Sequence, residues 1–102
     1  MKATDTVLVT ATFYPNSGDE KTFVQIWESN IKPIALRHGA NWAGIYHNEE
    51  TEEFLFSTHW TTKKEADKFL KDKEYLKALI DLNALSSIPP SRATYDFLRE
   101  AA

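Results

Sequence analysis

From Val7 to Tyr14 (VLVTATFY) the chain is dense in β-branched and aromatic residues, and Pro15-Asn16-Ser17-Gly18 closes the run. That composition predicts a strand ending in a turn. One side of it carries Val7, Val9, Ala11 and Phe13, the other Leu8, Thr10, Thr12 and Tyr14. Apolar or small residues on both parities suit a strand covered on both faces. After the turn the period changes. Ser17 and Glu20 stand at capping-box spacing, with Asp19 as an alternative cap. Phe23, Ile26, Trp27, Ile31 and Ile34 then recur chiefly at steps of three and four, the apolar stripe of a helix. Pro33 should kink or end its regular part, since it lacks an N–H and crowds the preceding turn. His38 and Gly39 mark the C-terminal end.

Two further runs, Asn41–His47 (NWAGIYH) and Glu52–Trp60 (EEFLFSTHW), flank the polar segment Asn48-Glu49-Glu50-Thr51 and predict a hairpin of open register. Phe54, Phe56, Thr58 and Trp60 share one face of its second strand; Leu55, Ser57 and His59 share the other. Thr62 and Glu65 form a second capping-box pair before Ala66, Phe69 and Leu70. Tyr75, Leu76, Leu79, Ile80 and Leu82 resume a helical pattern after Lys71-Asp72-Lys73-Glu74, giving two helical pieces or one helix broken near Asp72. The segment from Ser86 to Ser91 (SSIPPS) is a loop, Ala93–Leu98 (ATYDFL) a last strand, and the alanine tail frays. The order is βαββαβ. It predicts an α+β, ferredoxin-like domain over residues 1–102, a four-stranded antiparallel sheet with its helices on one face. The other face would expose Leu8, Leu55 and parts of the last strand, and a homodimer through that open sheet face is the natural cover.

Composition narrows the partners. The net charge of −3, from 12 basic and 15 acidic residues mixed along the chain, argues against nucleic acid, which needs clustered positive charge. The absence of cysteine removes disulfides, thiolate catalysis and cysteine-held metals. Neither a signal-like apolar run nor a membrane span occurs, so the expected location is cytoplasmic and no membrane partner is expected.

With that order of elements, one local pattern carries a resemblance. An aromatic strand ends in Trp and meets a capped helix: Phe54-Leu55-Phe56-Ser57-Thr58-His59-Trp60-Thr61-Thr62-Lys63-Lys64-Glu65-Ala66, with Phe69 following. The chain thereby resembles the dimeric α/β-barrel proteins of the antibiotic biosynthesis monooxygenase type. The resemblance implies a dimeric α/β barrel and a cofactor-independent, monooxygenase-like oxidoreductase acting on a small planar aromatic or quinoid molecule held between sheet and helices. Only the Trp is shared with the quinone-forming branch, which pairs it with an Asn four residues before and a Tyr six residues after; Phe56 and Ala66 stand there. The haem-degrading branch needs an Asn on the first strand and a His on the second helix, where this chain has Ala11 and Thr12 and no His. No cofactor is expected.

Candidate residues follow from the same frame. Trp60 would stand at the mouth of the cleft and stack on a flat substrate, with Phe56 and Trp27 as further walls; the plainer reading of each is core packing. Trp42 reads as a strand-core residue. Asn30 interrupts the first helix stripe and could hydrogen-bond a ligand or lie at the stripe's border. His59 is the candidate catalytic base, since imidazole can take a proton from a phenol near neutral pH, although its parity turns it away from Trp60 toward the dimer side. Tyr14, Tyr46, Tyr75 and Tyr95 offer phenols, and Arg37 and Arg92 could hold an acidic substrate. His38, His47 and His59 have no ligand spacing, so no metal is expected. The alternative to an enzyme is a non-catalytic small-molecule-binding or interaction dimer of the same fold.

Overall fold

The computed structural model describes residues 6–88 and 90–97. Strand β1 (Val7–Phe13) alternates buried and half-buried residues along its length, where apolar or small residues on both parities suggest cover on both faces. Only its helix-facing side, Val7, Val9, Ala11 and Phe13, is fully buried; the other is covered in part. Helix α1 (Glu20–Ile26) follows. The expected Ser17–Glu20 box does not form. Asp19 occupies the cap position without a side-chain bond, and Glu20 instead accepts a hydrogen bond of 2.6 Å from the Gly18 N–H.

Pro33 acts one turn earlier than its position suggests. Residues Trp27–Ile31 form a π-helical turn, the Lys32 N–H bonding to the Trp27 carbonyl, and α2 (Lys32–Arg37) continues with the proline in its first turn. There its missing N–H is least costly. The wide turn has a second consequence. Phe23, Trp27 and Ile31 are spaced by four, a repeat that drifts by about 40° per turn in a regular α-helix; widening one turn offsets the drift, and all three are buried. Helix α2 ends in a Schellman motif, Ala40 N–H to Ala35 carbonyl and Gly39 N–H to Leu36 carbonyl, both 3.0 Å. Gly39 has φ +98°, a conformation that favours glycine, and a Cβ there would need the flexible end of Glu65, 2.7 Å away, to shift.

Strands β2 (Trp42–Asn48) and β3 (Glu53–Trp60) make the hairpin. Its turn is closed by Asn48, whose side-chain oxygen accepts from the N–H groups of Glu50 and Thr51 at 3.0 and 3.3 Å. Helix α3 (Lys63–Leu70) begins at Thr62, which accepts from the Glu65 N–H at 3.3 Å. A separate α4 (Lys73–Asn83) begins at Asp72, whose Oδ1 accepts from the Glu74 and Tyr75 N–H groups at 2.8 and 3.1 Å. The break near Asp72 is thus a true cap. The last strand β4 (Ser91–Asp96) starts two residues before Ala93; Leu98 and the alanine tail lie outside the described residues.

The strands form one antiparallel sheet in the order β2-β3-β1-β4. Its inner face and the helices enclose an aromatic core. Phe13, Phe23, Phe54, Phe56 and Trp27 make a chain of tilted and edge contacts with ring centroids 4.7–5.7 Å apart, each pair worth about 0.5–1.5 kcal/mol beyond burial. The outer face is open. The register Trp42↔His59, Leu8↔His59 and Leu8↔Tyr95 lines these side chains across it. Trp42 is therefore not a core residue, as its strand composition suggested; it is 40% exposed, with its indole laid over Gly44, where any Cβ would clash with the ring. The parity of β2 was undetermined until the hairpin register existed. No described helix is long and apolar enough to cross a membrane.

Candidate functional site

The space between sheet and helices holds two adjoining cavities. The inner one is a void of about 10 Å³ lined by residues including Ala11, Trp27, Phe56, Thr58, Phe69 and Tyr75. The outer one, about 260 Å³, lies between α4 and β4 and is lined by Ala11, Phe13, Tyr75, Leu79, Pro90, Ser91 and Arg92. Ala11 and Tyr75 belong to both, so the two meet at those residues. Each element has a definite part. Strand β1 supplies the floor through Ala11, the smallest residue on its buried side. Helix α4 brings Tyr75 inward three residues after its Asp72 cap. The pairing Ala11↔Arg92 sets Arg92 beside that floor on the helix-facing side of the edge strand.

The polar groups here differ from those first considered. Trp27 is 4% exposed, and its indole N–H is buried with no hydrogen-bond partner. An unpaired buried donor costs about 1–3 kcal/mol, and the adjoining void is near the size that admits one small acceptor, roughly 10–15 Å³. Trp60 presents the opposite case: fully buried, its N–H bonds to Thr58 Oγ1 at 2.9 Å, and Thr58 in turn reaches the Val9 carbonyl. Burial pushes the Tyr75 phenol up to about 12, with the charge and hydrogen bonding of nearby Arg92 opposing the rise. The hydroxyl is therefore protonated, and able to donate, at any ordinary pH.

The sequence-derived candidates separate into three places. Phe56 and Trp27 line the inner void together. Trp60 does not stand at a mouth: its ring packs on Phe69 at 5.1 Å inside the core and lines neither cavity, because a strand-end side chain on the helix side is covered by α3. Asn30 is exposed and faces a different hollow, a polar groove of about 410 Å³ with Arg37, Glu74 and Lys77 on its walls. The π-turn carries it there, outward from the buried stripe. His59 lies exposed on the open sheet face, its ring 5.1 Å from Trp42, with the thickness of the sheet between it and the cleft. Tyr75 and Arg92, named above among several tyrosines and arginines, are what the fold brings together, and only the β1–β4 register distinguishes them.

A separate ionic cluster joins the helix ends. His38 Nε2 lies 2.7 Å from Asp72 Oδ2, and Arg37 reaches Asp72 and Glu74 at 3.7 and 3.3 Å. The hydrogen bond to His38, then the Tyr75 N–H, hold the Asp72 carboxyl below its ordinary 3.8 against a smaller opposing effect of burial. The cluster ties α2 to α4. Among the described residues no three His, Cys, Asp or Glu are grouped as metal ligands.

No protein-family model matches the sequence, and no curated protein matches it at a significant level. Solved structures do match in shape. Rv0793 from Mycobacterium tuberculosis superposes with a TM-score of 0.80 at 18% identity, covering 95% of this chain and 99% of that one. SnoaB, a cofactor-independent oxygenase from Streptomyces nogalater, gives 0.78 at 14%, covering 94% and 96%. A presumed antibiotic biosynthesis monooxygenase of Nitrosomonas europaea gives 0.78 at 14%, covering 96% and 95%. The fold is that of the antibiotic biosynthesis monooxygenase type. At these identities the likeness is one of architecture, which the ferredoxin-like element order anticipated. The monooxygenase-type fold here keeps a cleft between sheet and helices and fills its inner part with aromatic side chains.

Proposed function

We propose that the chain is a cofactor-independent, monooxygenase-like enzyme acting on a small planar aromatic or quinoid molecule in the cleft between sheet and helices. The observation that carries this reading is the unpaired, buried N–H of Trp27, a residue lining an aromatic void that adjoins the outer cavity at Tyr75 and Ala11. A ligand seated in the outer cavity with one oxygen directed inward would satisfy that donor. The fold shared with SnoaB, a cofactor-independent oxygenase, is consistent with this reading.

The reaction that fits is conversion of a ring methylene, activated by a neighbouring phenolate, to a carbonyl. Dioxygen supplies both oxygen atoms, one to the new C=O and one to water. Two C–H bonds break, and all four electrons come from the substrate. The protein's part is to hold the electron-rich ionised form and keep water out. Trp27 and Phe56 wall the inner end in this reading, and Trp60 supports Phe69 behind them. Asn30 and His59 serve only if a ligand reaches the outer groove or the open face.

The test is oxygen uptake by the purified protein with hydroxylated naphthalenes and anthrones, without added cofactor, alongside the appearance of quinone absorbance. Saturable uptake above the uncatalysed rate is expected. Saturable binding of the same compounds with no uptake would leave the second reading, a binding protein, which the absence of any carboxylate or imidazole among the described residues lining the two cavities favours.

A homodimer through the open sheet face belongs to the same proposal. Trp42, Tyr46 and Tyr95 are 40%, 55% and 54% exposed on that face, an aromatic patch that a second sheet would cover. This pairing places no residue of one protomer's open face in its own cleft.

A further inference from the structure

Taking the cleft as a ligand site, we propose that its outer cavity selects a planar aromatic anion. The charged oxygen sits between the Arg92 guanidinium and the Tyr75 hydroxyl, and the ring lies on Phe13 and Leu79. Three observations carry this. First, among the described residues no carboxylate lines the cavity, although the chain has 15 acidic residues against 12 basic ones, and Arg92 is the one charged residue of that lining. Second, the antiparallel pairing of Arg92 with Ala11 brings the guanidinium-bearing side chain over the apolar floor, and among the described residues no ion pair engages it. Third, the polar side chain deepest in this cavity, Tyr75, is buried and keeps its proton, so it meets a ligand as a donor. Arginine beside a protonated phenol over an apolar floor is complementary to a flat molecule with one negative oxygen, and poorly matched to its neutral counterpart. An ionised ligand also needs no base in the cavity, consistent with the residues found there.

The experiment titrates the purified full chain with 2-naphthoate and with its neutral isostere 2-naphthamide, by calorimetry. The wild type is expected to bind the acid about tenfold more tightly than the amide. Arg92 is exposed, so Arg92→Gln should fold normally, checked by circular dichroism; it is expected to abolish the preference while amide affinity stays within about twofold. Tyr75→Phe keeps the ring and should weaken the acid alone. Equal affinities, a preference that survives Arg92→Gln, or no saturable binding of either compound up to about 1 mM overturns the proposal. The oxygenase reading fails separately. Anion preference carried by Arg92 without oxygen uptake removes catalysis and keeps the charge selection, whereas uptake with no anion preference does the reverse.

Discussion

Two tryptophans that look alike in the sequence have opposite fates. Trp60 follows Thr58 by two positions, on one face of a strand, and the hydroxyl two residues away takes its N–H. Trp27 sits on a helix, where no side chain at the right distance supplies an acceptor, and its donor is left unpaired. Burial rewards both rings by about 1.5–3 kcal/mol or more; only the unpaired one retains an unmet hydrogen bond that a ligand could meet. The residue scale also has a pH dependence. The depressed pKa of Asp72 means that its carboxylate contributes stability above the ordinary carboxylate range, and that this contribution is lost as pH falls through the lowered folded value. Asp72→Asn keeps a competent helix cap while removing the charge facing His38 and Arg37. The variant should be less stable than the wild type at neutral pH, and the gap should close below about pH 4. Denaturant unfolding across that range checks it, and a gap independent of pH would show that the carboxylate charge contributes nothing.

At the scale of elements, the informative feature is the π-turn at Trp27–Ile31. Periodicity located the helix and its apolar stripe, and the proline signalled a disturbance, but a list of apolar positions cannot say whether a kink, a stop or a wide turn absorbs it. The core decides, because Phe23, Trp27 and Ile31 must all face the sheet. This has a direct consequence for deletions. Residues Glu28, Ser29 and Asn30 are exposed, and removing Asn30 lets the wide turn relax to a regular α-turn that still presents Phe23, Trp27 and the following isoleucines on one side. Deleting Lys77 from α4, which has no wide turn, rotates Tyr75 away from Ala78 and Leu82 by about 100°. Deletion of Asn30 is expected to leave a cooperative thermal transition near that of the wild type, and deletion of Lys77 to lose it. If both deletions unfold the protein, the π-turn is not an absorbed extra residue. The caps show the same division. Thr62 caps as its spacing suggests and the break near Asp72 is a cap, whereas Ser17 does not cap, because the turn through Gly18 redirects Glu20 onto the Gly18 N–H.

For the whole molecule, the sheet has one face committed to the core and one face free. Tyr46 stands on the edge strand β2, beside Trp42 and opposite Leu55, and is 55% exposed. Tyr46→Glu would place a charge within the proposed dimer interface, where an unpaired buried charge is not tolerated, without touching the helix-facing core. The wild type is expected to sediment as a dimer at micromolar concentration and the variant as a monomer with unchanged circular dichroism. A wild type that sediments as a monomer at that concentration leaves the open face to some other role.

The element order, the inner faces of β1 and β3, the helix stripes and the break at Asp72 were all legible in the sequence, because they depend on interactions between residues close along the chain: side-chain parity, helical period and caps. The ferredoxin-like architecture follows from them with little freedom, since two split βαβ halves have few ways to cover one sheet face. The candidate site was only half legible. The burial of Phe56 and Trp27 was legible because apolar aromatics at those periods face the core, but the pairing of Tyr75 with Arg92, the exposure of Trp42 and the enclosure of Trp60 depend on strand register and on which helix lies over which strand end. Those are contacts between residues far apart in the chain, selected by the packing of the whole core, and a one-residue change in register would have sent each side chain to the opposite face of the sheet.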